Sequence, residues 1–286
     1  MQRIPHTRIL LVAPRSSAPS LATLLATAHD LADAAGATIL PHFRKPIEVD
    51  NKDKSGFDPV TIADTAAETV MRRLIAKRHP DHGIIGEEFA AVESAGAFNW
   101  ILDPIDGTRA FITGYPLWGT LIGVIDGNTP VIGMMDQPFT RERFWAAPGG
   151  RTRSAQYRGP DGKVRAMQTS DCTTLGDAIL ACTTPDMFKT PAQRSAFGSV
   201  SQAVKMTRFG GDCYAYCMLA AGHVDLVIEA SLKAVDIAPL IPIIEAAGGV
   251  VTSWTGAPAT YGGEVIAAGS AKLHAAACKL LTARRA

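Results

Sequence analysis

From residue 21 onward the apolar positions recur with two different periods, and the change from one to the other organises the chain. Leu21, Leu24, Leu25, Ala28, Leu31, Ala32 and Ala35 fall at three- and four-residue spacing, which predicts an amphipathic helix opening after Pro19-Ser20 and stopping at Gly36. A second helical stripe, Ala63, Ala66, Ala67, Val70, Met71, Leu74 and Ile75, follows Asp58-Pro59 and runs to His79-Pro80. Two such stripes predict a helix pair packed face to face. From Gly83 the texture turns to short apolar runs between turn residues, Gly83-Ile84-Ile85-Gly86 and Trp100-Ile101-Leu102, which predict strands. Residues 118–146 predict an antiparallel meander that turns at Asp126-Gly127-Asn128 and again between Pro138 and Arg143.

The stretch from Pro148 to Lys163, rich in Gly, Arg and Ser, predicts a boundary between two halves, 20–150 and 151–286, with 1–19 read as a leader or loose extension. The second half predicts a helix after Gly210-Gly211-Asp212, a strand from Val224 to Glu229, and a helix from Asp236 to Ala247 closed by Gly248-Gly249. Strands at Val250–Ser253 and Val265–Ala268 and a last helix after Ser270 complete the pattern. Strands and helices so mixed predict an α+β fold with sheets covered by helices.

Composition narrows the functional classes. With 286 residues, 47% of them hydrophobic and 19% charged, the chain is globular and large enough to enclose a cleft. A net charge of +1 gives no field to recruit nucleic acid or an anionic membrane, and no apolar run near the start approaches the roughly 20 residues that span a bilayer. The basic run Arg151, Arg153, Arg158, Lys163 and Arg165 is the nearest thing to an RNA-binding face and reads as a solvated loop. Five cysteines without a C-x-x-C pair argue against a disulfide framework or a zinc knuckle and predict a reducing, cytoplasmic setting.

The candidate chemistry lies in carboxylates. Trp100 to Thr108 places Asp103 and Asp106 where an apolar strand ends, and Pro104 forces the chain to turn between them, so both acids can face one point. Gly107-Thr108 then offers backbone N–H groups that suit a phosphate. Glu87-Glu88 ends another strand, and Asp236 opens a helix. Singly, each could be a turn residue, a helix cap or a solvated acid. Converging, they must be neutralised by protons or by hard metal ions. Asp64, with Thr61 one turn before it and Glu68 one turn after, is either a solvated helix-face acid or a group that orients a hydroxyl or a water. No histidine pairs with a serine in a G-x-S-x-G setting, so no nucleophile of that kind is evident.

Glu87-Glu88, the W-x-x-D-P-I-D-G-T run of Trp100–Thr108, and Asp236 ahead of Ile244-Glu245-Ala246-Ala247-Gly248-Gly249 together resemble the inositol monophosphatase family of metal-dependent phosphatases, from about Leu21 to the C-terminus. Phe43-Arg44-Lys45, the Asp58–Asp64 and His82–Glu88 stretches, Arg109 after Gly-Thr, Met135–Phe139, Gly210–Tyr216 and Leu232-Lys233 resemble the members that act on histidinol phosphate. Ala234-Val235 departs from that subgroup, where Pro-Tyr is expected. The resemblance implies a layered α/β/α/β/α sandwich of the inositol monophosphatase and fructose bisphosphatase type, assembled as a homodimer. It implies two or three Mg2+ ions, with Mn2+ as the other candidate. Glu87, Asp103 and the carbonyl of Ile105 would hold one ion, and Asp103, Asp106 and Asp236 a second. Asp64 and Thr108, together with Glu87, would serve the attacking water, while Gly107, Thr108 and Arg109 would meet the phosphate. Asp212 and Glu229 would read the alcohol part of a small phosphorylated metabolite, histidinol phosphate in histidine biosynthesis. The alternatives kept beside it are an inositol, sugar or nucleotide phosphatase, a regulatory RNA-binding member of the fold that is no enzyme and, for Asp212, a plain helix cap.

Overall fold

Ser20 opens the first helix by accepting the Thr23 N–H on its Oγ, and α1 (Leu21–Ile39) buries Leu24, Ala28, Leu31, Ala32 and Ala35 on one face. The computed structural model describes residues 19–51, 59–147 and 154–283. Residues 1–18 of the expected leader lie outside them. Gly36 does not end α1: the helix continues to Ile39, and a Cβ at Gly36 would stand 2.9 Å from Pro138 Cβ. The glycine marks a close contact with the sheet's turn, not a stop signal.

A short antiparallel pair, β1 (Val49–Asn51) and β2 (Pro59–Thr61), leads into α2 (Ile62–Arg78). Thr61, not the Asp58-Pro59 step, caps α2: its Oγ1 accepts the Ala63 N–H, while Asp64 accepts from the Thr61 backbone and hydroxyl. Pro59 belongs to β2, and Asp58 lies outside the described residues. α1 and α2 share one buried cluster with the sheet below them, as their stripes predict.

That sheet takes its strands in chain order: β3 (Gly83–Gly86), β4 (Phe98–Asp106), β5 (Gly119–Asp126), β6 (Thr129–Gln137), β7 (Glu142–Ala147), β8 (Ser154–Arg158) and β9 (Val164–Ala166). β3 and β4 are parallel and every later pairing is antiparallel. A short helix, α3 (Thr108–Ile112), sits between β4 and β5. The sheet runs on to Ala166, past the 150/151 boundary, and residues 148–153 of the Gly/Arg/Ser-rich stretch, with Arg151 and Arg153, lie outside the described residues.

The second sheet has the order β11-β10-β12-β14-β13. It is built from β10 (Ile179–Cys182), β11 (Met206–Phe209), β12 (Leu226–Leu232), β13 (Val250–Ser253) and β14 (Gly263–Ala268), with β10 parallel to both neighbours and the rest antiparallel. Its helices are α4 (Pro191–Ser201), α5 (Asp212–Ala220), α6 (Ala234–Ile237), α7 (Ile241–Ala246) and α8 (Ala271–Thr282). The alternation of strand side chains sorts the core into layers. Ile122 and Met134 join α1 and α2, whereas Leu121 and Met135 join α5, α7 and Val227. On β12, Leu226 and Ile228 turn instead toward α4 and α8. The result is the expected five-layer α/β/α/β/α sandwich. Among the described residues no helix is long and apolar enough to cross a membrane.

The single helix expected over Asp236–Ala247 is broken. Pro239 has no N–H to continue it, so α6 stops at Ile237 and α7 restarts with Pro242 in its first turn. Asp236 is accordingly the third residue of α6 and not its opening. The elbow at Pro239 rests on two glycines that face each other across β5 and β6, Gly123 and Gly133. A Cβ at Gly133 would lie 2.0 Å from the Pro239 carbonyl oxygen, and one at Gly123 would lie 3.2 Å from Pro239 Cα. Only bare backbone there lets the chain carrying Asp236 come down onto the first sheet.

Candidate active site

Along a regular strand, residues three apart point to opposite faces, so Asp103 and Asp106 would be separated. β4 avoids this by slipping register against β5 between them. The slip is held in place by Thr120 Oγ1, which donates to the Pro104 carbonyl at 2.8 Å, and by the Ile105 N–H, which donates to Asp103 Oδ1 at 3.0 Å. Because β3 runs parallel to β4, Glu87 emerges at the same edge, its N–H bonded to the Leu102 carbonyl. From the second half, Asp236 is oriented by the Lys233 N–H, 2.7 Å from its Oδ2. Asp103, Asp106 and Asp236 thereby bring carboxylate oxygens within 4.8 Å of one another.

The loop bearing Glu87 is tied down from behind. Glu68 on α2, fully buried, accepts the Glu88 N–H at 2.8 Å and Arg72 Nε at 2.7 Å, and Arg72 also donates to the carbonyls of Phe89 and Ala90. Gly86 is required for this approach, since a Cβ there would stand 2.0 Å from Glu68 Oε1.

Glu87, Asp103, Asp106 and Asp236 line a cavity of about 390 Å3. Of the sequence-derived site residues, Glu87, Asp103, Ile105, Asp106, Gly107, Thr108, Arg109, Asp212, Glu229 and Asp236 all line it. Asp64 and Glu88 do not. Asp64 is buried beside the site and bonded to Thr61, and its charge is among those that raise the Asp103 pKa. Thr108 Oγ1 donates to the Ile105 carbonyl at 3.0 Å. Gly211 occupies the N-cap position of α5, so Asp212, its first residue at φ 43, is not the cap. The Cys213 N–H donates to Asp106 Oδ2 at 2.6 Å.

Pattern reading missed the partners of Glu229, which accepts from the Thr183 N–H and from the Tyr216 hydroxyl. A backbone donor such as Thr183 leaves no side-chain signature. Nor does the Leu232-Lys233 motif reveal the partner of its lysine, whose ammonium lies 3.1 Å from Glu87 Oε1.

Electrostatically the site is overloaded with acid. Burial, and then Glu87, Asp106 and Asp236, push Asp103 well above the usual carboxylate range. Burial does the same to Asp106, reinforced by Asp212 and Asp236 and opposed by the Cys213 hydrogen bond. Asp236 is pushed up to about 7 by burial against the relief of the Lys233 N–H, and Asp212 to about 7 by burial and Glu229 against Arg109. Six lining carboxylates face two lining cations, Arg109 and Lys233, a deficit of about four charges that two divalent ions would neutralise. The donors that converge are hard oxygens, which fit a hard divalent cation and not a soft one.

A pH dependence follows. Asp236 folded, at about 7, exceeds its ordinary 3.8, so the stability this carboxyl contributes is fully present below about 4 and is lost as pH rises through about 7. The half-buried His29 and the buried His79 and His82, all held below the ordinary imidazole value chiefly by desolvation, work in the opposite direction. The difference in Tm with and without a divalent ion isolates the cluster, because protons and ions compete for the same oxygens. That difference should grow from pH 5 to pH 8 in thermal unfolding with and without chelator. A difference that shrank with rising pH would contradict the assignment.

The inositol monophosphatase family model matches residues 20–285. The chain is 40% identical over 267 residues to the bifunctional phosphatase IMPL2, chloroplastic, of Arabidopsis thaliana, covering 90% of this chain and 74% of that one. It is 33% identical to a histidinol-phosphatase of Streptomyces coelicolor over 87% of this chain and 93% of the relative. Among solved structures, an inositol monophosphatase from Zymomonas mobilis superposes with a TM-score of 0.80 at 37% identity, covering 93% of this chain and 99% of the other.

Proposed function

Because the chain belongs to the inositol monophosphatase family and is a phosphatase, we propose that it hydrolyses histidinol phosphate to histidinol and inorganic phosphate, with magnesium ions held by Glu87, Asp103, the Ile105 carbonyl, Asp106 and Asp236. The observation that carries the chemistry is the convergence of Asp103, Asp106 and Asp236 beside Glu87 in a cavity short of positive charge. Hard divalent ions, when bound, supply charge neutralisation to the phosphoryl and leaving oxygens and acidify water. Thr108, its hydroxyl proton committed to the Ile105 carbonyl, presents oxygen lone pairs that accept a hydrogen bond from an attacking water and orient it. Asp64 acts from outside the lining through its negative charge. Arg109 and the Gly107–Thr108 backbone face the phosphate. The reading extends to a homodimeric, cytoplasmic enzyme of histidine biosynthesis: the similarity to a histidinol-phosphatase supports the pathway, and five cysteines that are all unpaired support a reducing setting.

For the leaving alcohol, the relevant pair is the half-buried Asp212 and the buried Glu229, two acids on the cavity wall. Histidinol carries an ammonium and an imidazole, and such a pair suits a cation. Inositol phosphate is the second reading, favoured by the 37% identity to the Zymomonas mobilis enzyme. Phosphate release from a panel of histidinol phosphate, inositol phosphate, fructose bisphosphate and phosphoadenosine phosphate decides between them. Turnover fastest on inositol phosphate would overturn the first.

Asp212→Asn is the finer probe, because asparagine tolerates the left-handed backbone at φ 43 better than most side chains. A charge-assisted bond to the substrate ammonium is worth about 1.5–3 kcal/mol, so KM for histidinol phosphate should rise roughly 10- to 100-fold. Turnover of an aryl phosphate, which has no cation to lose, should barely change. Equal effects on both substrates would remove Asp212 from the alcohol pocket.

A further inference from the structure

Phe43, Arg44 and Lys45 do not line the cavity, yet Arg44 takes a left-handed backbone at φ 58, which a residue other than glycine keeps only where its surroundings hold it there. Its own contacts do so. Arg44 Nε donates to the Gly114 carbonyl at 3.0 Å, and the guanidinium lies 4.6 Å from the centre of the Phe139 ring. The preceding Phe43 is 5% exposed and packs against Phe111, Trp118 and Phe139.

Gly114 is where the chain leaves α3, the element that opens at Gly107 and Thr108. With five residues this helix is too short to hold its own place, and its N-cap, Gly107 at φ 84, makes no side-chain capping bond. Its position is set from the far end instead. Phe111 packs against Phe43 and Trp118. Gln137 donates to the Pro116 and Trp118 carbonyls and accepts the Phe139 N–H, and Arg44 links Phe139 back to Gly114. At 1.5 Å per residue α3 is only about 8 Å long, so a shift at its exit is passed to its entrance as a rigid-body movement.

We propose that Arg44 is a positioning residue for the phosphoryl group: it fixes the exit of α3 and so holds the Gly107–Thr108 backbone and Arg109 in the geometry that receives phosphate. The inference rests on the phosphate contacts given under the proposed function. Asp103, Asp106 and Asp236 stand on β4 and α6, outside α3, so the ion-binding carboxylates are not held by Arg44.

The test compares Arg44→Met with wild type in magnesium, using inorganic phosphate as inhibitor and two substrates, histidinol phosphate and an aryl phosphate. Methionine keeps the left-handed strain and much of the stem but removes the donor and the charge. The inhibition constant for phosphate and KM for both substrates should rise together by about tenfold, with kcat changed less than about threefold, because the lost binding is common to ground and transition states. The magnesium concentration for half-activation should move less than about twofold, and Arg44→Lys, whose ammonium can still donate to Gly114, should stay within about threefold of wild type. Thermal unfolding reports whether each variant is folded; should Arg44→Met not fold, Phe139→Leu, which removes the ring under the guanidinium, should raise the same constants by about threefold. Folded Arg44→Met with wild-type phosphate inhibition and KM would overturn the proposal, whatever its Tm, and so would a rise in KM confined to histidinol phosphate. If Arg109→Met also leaves phosphate inhibition unchanged, the placing of phosphate at the start of α3 fails as well, which separates the two failures.

Discussion

Asp103→Asn should fold as wild type does and lose phosphatase activity by on the order of 1,000-fold or more, beyond the roughly 10- to 100-fold that loss of an outer partner of a metal ligand produces. Asp103 is 2% exposed and takes repulsion from Glu87, Asp106, Asp236 and Asp64 at once, which makes it the group where an ion relieves the most charge. The amide keeps an oxygen to accept the Ile105 N–H at 3.0 Å, so the β4 slip survives the change. It also removes one of the repelling charges, so the ion-free variant should melt at or above the wild-type temperature. Phosphate release at saturating magnesium, together with Tm in chelator, checks both halves. Activity within tenfold of wild type, or wild-type turnover persisting in chelator, would remove Asp103 from the reacting centre.

The second large effect is expected at a glycine of the first sheet. Gly133→Val should destabilise the protein by about 3 kcal/mol or more, a drop in Tm of about 6 °C or more. The Pro239 carbonyl would meet the new Cβ at 2.0 Å, and the atom in the way is backbone, which cannot rotate aside. Pro239 stands three residues after Asp236, so displacing the elbow should weaken divalent-ion binding too. Gly198→Ala is the control: its Cβ meets nothing within 4 Å in the middle of α4, and alanine there should stabilise by about 0.5–1 kcal/mol. A Gly133→Val protein melting within a degree or two of wild type would mean that the elbow does not rest on the sheet.

What could be read from the chain tracks how local the cause is. The meander from β5 to β7 was visible because Asp126-Gly127-Asn128 and Pro138–Arg143 are turn chemistry written in adjacent residues. The clustering of Asp103 and Asp106 was visible because Pro104 announces the bend between them. Gly36 misled because a glycine has a local meaning and a tertiary one, whereas at Pro239 the apolar periodicity outweighed the proline's local signal. Gly36 lies inside a helix because Pro138 presses on it, and Pro239 splits a helix that apolar periodicity alone would have continued. Thr183 and Tyr216 escaped notice because their roles depend on β10, α5 and β12 meeting around Glu229, a contact that spans 46 residues of chain on one side. The pairing of Lys233 with Glu87 spans 146 residues, and no spacing rule reaches that far.

Asp103 belongs to the first sheet and Asp236 to the segment leaving the second, about 130 residues further along the chain. An ion gripping both is therefore a removable cross-link across a long loop, and the unfolded chain, with these acids far apart, offers it no comparable site. Such a link cannot nucleate folding, because its ends meet only after both sheets have formed and docked. It would leave the refolding rate nearly untouched and slow unfolding, since the grip would have to be released before the sheets part. In a cell the ion supply would then set how long a folded molecule survives proteolysis as well as how fast it turns over substrate.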